Sequence, residues 1–278
     1  MTVFQSIVLG LIQGIAEFLP ISSSGHLAVA QALFHLDDVP LLFDVFLHLA
    51  TLVATVVYFR KKIIRLFAIL FRWILRKPVT ADGEVSGDGL SGSDVVGRKT
   101  IVAVLVVTFV TGVIGVCTSK LIPELPISFV CGGFICTGML LLISARLVKR
   151  QPTTNCGISL KQSLCIGLAQ GIGTLPGISR SGSTIAGALA VNVKREDAGE
   201  FSFIVSIPAI LGAFVLELKD LSDVTASVGV LPVVCGCLTA CVSGYVALSW
   251  LMKLIKKGQL AWFAAYLIPV GVIGLFIL

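Results

Sequence analysis

Residues 10–26 read Gly10-Leu-Ile-Gln-Gly-Ile-Ala-Glu-Phe-Leu-Pro-Ile-Ser-Ser-Ser-Gly-His26, and residues 167–183 read Gly167-Leu-Ala-Gln-Gly-Ile-Gly-Thr-Leu-Pro-Gly-Ile-Ser-Arg-Ser-Gly-Ser183. At a fixed offset of 157 the two stretches align without a gap and share nine identities in seventeen positions. Apolar composition explains a shared Leu or Ile. It does not explain Gln13, Gly14, Ser22, Ser24 and Gly25 meeting Gln170, Gly171, Ser179, Ser181 and Gly182. The pattern is that of an internal duplication. Both copies lie in apolar runs, residues 3–36 and 163–193, that break at a proline and a serine cluster. The pieces beside each break are too short to cross roughly 30 Å of hydrocarbon as helices. Each run therefore predicts a helix–loop–helix hairpin that enters and leaves on one side. Its irregular tip must be buried in protein or line a wet cavity.

Of the 278 residues, 56% are hydrophobic and only 13% are charged, against about 25% charged in a soluble domain. Mean hydropathy is +1.01. Six further apolar runs, at 41–59, 100–118, 128–147, 201–218, 229–251 and 260–278, approach or exceed the ~20 residues a crossing takes. The expected fold is an all-α polytopic membrane protein with six transmembrane helices and two re-entrant hairpins. It forms a single membrane domain, 1–278, built as two repeats, 1–150 and 151–278. The first Lys or Arg is Arg60. The N-terminal run thus lacks the positive start of a signal peptide and is expected to stay in the mature protein.

Basic residues orient the chain. Loop 60–99 holds nine, residues 146–162 hold four, Lys194 and Arg195 add two, and Lys253, Lys256 and Lys257 add three. Only Lys120 and Lys219 fall on the other side, and Arg180 lies inside a break. Three spans then separate the hairpins, so the halves are inverted and their tips can meet near the midplane. Residues 60–77 mix seven cations with Ile, Leu, Phe and Trp73, an amphipathic helix for the membrane surface. The Gly/Ser/Asp-rich stretch 80–96 reads as a flexible loop without a phosphate-loop pattern. The net charge of +6 follows from these loops and calls for no nucleic-acid partner. The eight cysteines form no CxxC pair and read as small packing residues, with Cys235, Cys237 and Cys241 the only cluster. Gly10/Gly14 and Gly167/Gly171 have the spacing of close helix packing.

The polar tips carry the chemistry. Ser22, Ser23 and Ser24 precede one short helix, and Ser179 and Ser181 precede another. Serine there is an ordinary N-cap. Two helix N-termini converging with hydroxyls and an arginine also describe an anion site. Arg180 costs at least ~2.5–3.5 kcal/mol in an apolar zone and so requires an anionic partner, Glu17 or a phosphate ligand. Glu17, with Gln13 four residues earlier on the same face, offers oxygen ligands for Mg²⁺ or Ca²⁺, or a general base. A serine of 22–24, Ser23 first among them, or His26 could attack phosphorus, and His26 could also activate a serine. His26 could instead protonate a leaving group. His35 and His48 rank below it, Asp44 reads as a cap, and Glu200 is a secondary site candidate beside a surface cluster of Glu196, Asp197, Lys194 and Arg195.

Gln13-Gly-Ile-Ala-Glu17-Phe-Leu-Pro-Ile-Ser-Ser-Ser-Gly-His26 and Pro176-Gly-Ile-Ser-Arg-Ser-Gly-Ser-Thr184 resemble the two signature motifs of bacterial undecaprenyl-pyrophosphate phosphatases of the bacitracin-resistance type. The resemblance covers essentially the full length, including Glu200-Phe-Ser-Phe. It implies hydrolysis of undecaprenyl pyrophosphate with a divalent cation, in the bacterial cytoplasmic membrane, recycling the lipid carrier for cell-wall synthesis. The implied site is Gln13, Glu17, Ser22, Ser23, Ser24, Gly25, His26, Ser179, Arg180, Ser181, Gly182 and Thr184. Gln13 stands where many members carry Glu, which puts the heavier duty on Glu17; Ser24 stands for a common Thr and keeps the hydroxyl. A homodimer is compatible with this reading. The PAP2-type lipid phosphatases also carry Ser-Gly-His, but no His follows Ser179-Arg180 at their spacing. The rival class is a lipid-phosphate flippase or anion transporter, since inverted repeats with broken helices are transporter architecture.

Overall fold

The structure, a computed structural model, describes residues 1–36, 39–75, 94–121, 126–147, 157–217 and 228–277. Among these the chain is all helical. The helices are α1 (Val3–Phe18), α2 (Ser23–Leu33), α3 (Leu41–Tyr58), α4 (Arg60–Ile74), α5 (Asp94–Leu121), α6 (Ile127–Leu147), α7 (Leu160–Ile172), α8 (Arg180–Ala190), α9 (Arg195–Glu217), α10 (Val230–Lys256) and, after a 3-10 turn at Leu260–Phe263, α11 (Ala264–Ile277). Six stretches are long and apolar enough to cross a membrane: Leu41–Tyr58, Val95–Thr118, Ile127–Arg146, Arg195–Leu216, Val230–Lys256 and Leu260–Ile277. They correspond one to one with the six runs read from the sequence, and the protein is a multi-pass membrane protein. Its outer faces carry Phe109, Trp262 and Phe276, while Gln13, Thr51, Gln170 and Thr184 are fully buried. That distribution suits a lipid solvent, in which polar groups must find partners inside the bundle.

Helix α9 begins at Arg195, six residues before the expected start at 201. Its first turn carries Glu196 and Asp197, which suit a helix N-terminus but are trimmed by a hydropathy reading. Pro208 lies inside α9 without ending it, as neighbouring helices in a membrane bundle allow. Most of loop 80–96, together with Arg76, Lys77, Cys156 and Lys219, lies outside the described residues.

Both interrupted runs fold as two short helices around a break. Helices α1 and α7 have 16 and 13 residues, and α2 and α8 have 11 each, or about 24, 20 and 16 Å at 1.5 Å per residue. The offset of 157 extends into their caps. Thr2 and Ser159 open α1 and α7 with capping boxes closed by Gln5 and Gln162. Ser22 and Ser179 cap α2 and α8 through the amides of Gly25 and Gly182. Each cap satisfies amides that the first helical turn leaves unpaired.

The first helix of each pair packs on a distant partner, α1 along α10 and α7 along α5, while α3 packs on α9. The glycine spacing makes the first contact possible. A Cβ on Gly14 would stand 2.6 Å from the Ala240 carbonyl oxygen and 2.9 Å from the Gly244 amide nitrogen. On α5, Gly112 has nothing within 4 Å of such a Cβ. Gly14→Val is expected to destabilise the detergent-solubilised protein by at least the ~1–3 kcal/mol typical of overpacking, read as a lower thermal midpoint. Gly112→Val should leave it within a degree or two. Equal midpoints for the two variants would refute the close α1–α10 contact.

Candidate active site

The two breaks meet side by side. Glu17, on the last turn of α1, pairs with Arg180, the first residue of α8. The Glu17 carboxylate also accepts the Ser23 hydroxyl at 2.7 Å and the Gln13 side-chain amide at 3.0 Å. His48 of α3 brings Nε2 to 3.4 Å from the same oxygen. Its Nδ1 donates to the Asp44 carbonyl at 2.7 Å, which aims Nε2 at Glu17. The Glu17 side chain is 5% exposed and the Arg180 side chain 20%. An unpaired charge at such burial costs several kcal/mol, so each requires the other.

The geometry of both tips follows from their residues. Ser22 has φ +69°, a left-handed conformation uncommon for a residue with a Cβ. The turn brings its hydroxyl to cap α2 and places Ser23 at the first helical position, under Glu17. In the second tip Gly177 has φ +83° and lies against the backbone of Val130, where a side chain has no room. Ser179 then accepts from the Gly182 amide at 3.1 Å and contacts Ser181 Oγ at 3.2 Å. Ser181 reaches across to the Leu19 carbonyl at 3.4 Å, a direct link between the two breaks.

Between the tips lies a cleft of about 260 Å³, lined by Glu17, Ser22, Ser23, Ser24, His48, Thr174, Ser179, Arg180 and Ser181, with α9 closing it through Ala209, Ile210 and Ala213. The N-termini of α2 and α8 both open at it, bringing first-turn amides and positive dipole ends to one place. The arrangement can hold a multiply charged oxyanion and offers one hydroxyl bonded to one carboxylate.

Other sequence candidates stand elsewhere. His26 lies outside the cleft lining, its Nδ1 bonded to the Ser22 carbonyl at 2.8 Å and its Nε2 to the Tyr266 hydroxyl at 2.8 Å. Its ring stacks on Tyr266 and contacts Phe134. Gly25 also faces the Phe134 ring, and a Cβ on Gly182 would meet the Pro20 side chain at 3.1 Å. Thr184 turns its hydroxyl to the Arg180 carbonyl at 2.7 Å and to Gln170 at 3.1 Å, and Gln170 continues to Thr111 at 3.0 Å. That chain buttresses the turn of α8 that carries Arg180. Glu200 pairs with Lys62, joining α9 to α4. His48, which the sequence ranked below His26, lines the cleft beside Glu17. Asp44, His48, Thr51 and Thr55 form a polar stripe at helical spacing along an otherwise apolar span, and that stripe was its signal.

A divalent cation finds a partial donor set here. Among the described residues no group of three or more His, Cys, Asp and Glu side chains could hold one. Gln13 Oε1, however, is buried without a hydrogen-bond partner, next to Glu17. Mg²⁺ is commonly held by one or two protein oxygens plus substrate phosphates, and Glu17 with Gln13 fits that mode.

A sequence model of the bacitracin resistance protein BacA family matches residues 6–273. The chain belongs to the BacA family. An undecaprenyl-diphosphatase of Treponema denticola is 46% identical over 271 residues, covering 98% of this chain and 96% of the relative. Undecaprenyl-diphosphatases of Methanobrevibacter smithii and Carboxydothermus hydrogenoformans are 38% and 36% identical, each over 98% of this chain and 96% of their own. Within this BacA-family chain the Glu17–Arg180 pair yields a direct test. Arg180→Gln leaves a buried carboxylate unpaired and should destabilise the protein by about 3–5 kcal/mol. Adding Glu17→Gln should recover most of that loss, read as the thermal midpoint in detergent. A double variant as unstable as the single would show that the two charges are not coupled.

Proposed function

We propose that this protein hydrolyses undecaprenyl pyrophosphate to undecaprenyl phosphate and orthophosphate, recycling the lipid carrier for peptidoglycan synthesis and conferring resistance to bacitracin. The observation that carries the mechanism is the grouping of Ser23, Glu17 and Arg180 in a cleft faced by two helix N-termini. The diphosphate takes the Arg180 guanidinium and the first-turn amides of α2 and α8. Drawing Arg180 toward the phosphates frees Glu17 to accept a proton. Ser23 Oγ attacks the terminal phosphorus, its proton passes to Glu17, and the bridging oxygen departs with undecaprenyl phosphate, which takes that proton. Water then attacks the phosphoserine, giving its proton to Glu17, and Ser23 leaves reprotonated. His48 positions Glu17 from the cleft wall. A Mg²⁺ or Ca²⁺ ion held by Glu17 and Gln13 would neutralise charge on the phosphoryl oxygens. Ser23 is preferred to His26 as nucleophile because Ser23 lines the cleft and already donates to Glu17.

The two broken helix pairs are read as re-entrant hairpins of an inverted repeat, 1–150 and 151–278, in the cytoplasmic membrane of a bacterium. The offset of 157, the matched capping boxes and the one-sided basic loops support this.

Purified full-length protein with Mg²⁺ or Ca²⁺ is expected to release orthophosphate from undecaprenyl pyrophosphate, and failure to do so would sink the reading. Removing a preorganised charge or the nucleophile typically costs 10²–10³ or more in rate. Arg180→Ala and Ser23→Ala should therefore lose at least about 10²-fold in kcat, while Ser24→Ala stays within about tenfold. A Ser23→Ala enzyme near wild-type rate would remove Ser23 as nucleophile.

A further inference from the structure

A second cavity, about 860 Å³ and sharing no lining residue with the cleft, opens at the N-terminal ends of α5, α7 and α9 and against α4. Lys62, Arg98, Lys99 and Lys194 line it, against one lining carboxylate, Asp197, and Glu200, which pairs with Lys62. With Lys99 left out of the count, one positive charge is still left over among the described residues. Arg98 is the centre of that surplus. It has no carboxylate partner among the described residues, its Nε is buried without a hydrogen-bond partner, and its guanidinium lies over the Trp73 ring at 5.6 Å. A buried N–H of a charged group left unsatisfied is destabilising, so an oxyanion there would be stabilising.

Trp73, Phe201 and Ile204 add an apolar part to the lining. Beside it, α4 exposes Ile64, Phe67, Phe71 and Ile74 while Ile69 docks against α5 at Gly97. A free inorganic anion needs no apolar wall, whereas a lipid needs both a cationic seat and an apolar flank. Along α9 the cavity ends at Ile204 and the cleft begins at Ala209; along α5 the corresponding residues are Val102 and Thr111. The cavity therefore lies about 7–14 Å of helix rise from the cleft, toward the side where loop 60–99 gathers its cations.

We propose that this cavity binds the phosphate headgroup of an anionic glycerophospholipid, seated on Arg98 and Lys194 with its chains along α4. The site is independent of the hydrolytic cleft. It uses the attraction of juxtamembrane cations for anionic lipid, focused by a cavity.

Trp73 is a built-in reporter, because Trp250→Phe and Trp262→Phe leave it as the sole tryptophan of three. The full-length protein is reconstituted in phosphatidylcholine vesicles containing rising fractions of brominated phosphatidylglycerol or brominated phosphatidylcholine. Brominated phosphatidylglycerol is expected to quench Trp73 at least threefold more steeply. Arg98→Gln with Lys194→Gln should bring the two curves together without changing orthophosphate release. Lys61→Gln, which removes an exposed charge from the same surface helix, should leave the preference intact. Coincident curves in the protein without charge substitutions would overturn the proposal. So would a Lys61→Gln loss as large as that of Arg98→Gln with Lys194→Gln, or abolition of the preference by millimolar orthophosphate at constant ionic strength.

Discussion

Glu17 and Arg180 are 163 residues apart in sequence and form a charge pair inside a bundle whose outer faces are apolar. In lipid neither charge is tolerable alone. Their pairing holds the end of α1 against the start of α8, and much of the local architecture serves that approach. Gly177 turns the chain under the backbone of Val130, Gly182 lets the second tip come up to Pro20, and Ser181 bonds across to Leu19. The broken helices are the means. An unbroken helix would satisfy its amides internally and present none at mid-bundle, whereas two breaks expose two N-termini at one cleft.

Much of this was legible because it rests on local rules. The breaks follow from prolines and serine caps, and the spans from length and hydropathy, so both were readable from short windows. The start of α9 was not, since Arg195, Glu196, Asp197 and Glu200 belong to the helix but not to its apolar run. Side-chain partnerships were legible only where chemistry forced them. Arg180 needed an anion, and Glu17 was the nearest kind of answer. His26 was different. Its ring nitrogen meets Tyr266, 240 residues away, and nothing local distinguishes a tethered histidine from a reactive one. His48 looked like a single polar residue in a span until its helical register with Asp44, Thr51 and Thr55 was considered.

The packing of the two pairs is related but not equivalent. Helix α1 meets α10 through Gly10 and Gly14 against Gly236, Ala240 and Gly244, nearly backbone to backbone. Helix α7 meets α5 with Gly167 and Gly171 against the branched side chains of Val110 and Ile114. The same glycine spacing accepts a backbone in one case and side chains in the other. Each first helix is held by a helix distant in sequence, so neither broken pair depends on its own short helices for support.

The offset of 157 also separates what the cleft needs twice from what it needs once. Ser22 and Ser179, Ser24 and Ser181, and Gly25 and Gly182 are the same in both copies, and they build the two helix N-termini. Each terminus has its own serine cap. Glu17 corresponds to Thr174, Ser23 to Arg180, and His26 to Ser183. Were the two stretches identical here, the tips would present two carboxylates or two guanidiniums face to face, and like charges at that burial repel. The differences at these positions let one carboxylate face one guanidinium across the cleft, and leave one hydroxyl, Ser23, bonded to the carboxylate. The residues that the two stretches share supply the cradle, and the positions at which they differ supply the charge pair and the hydroxyl.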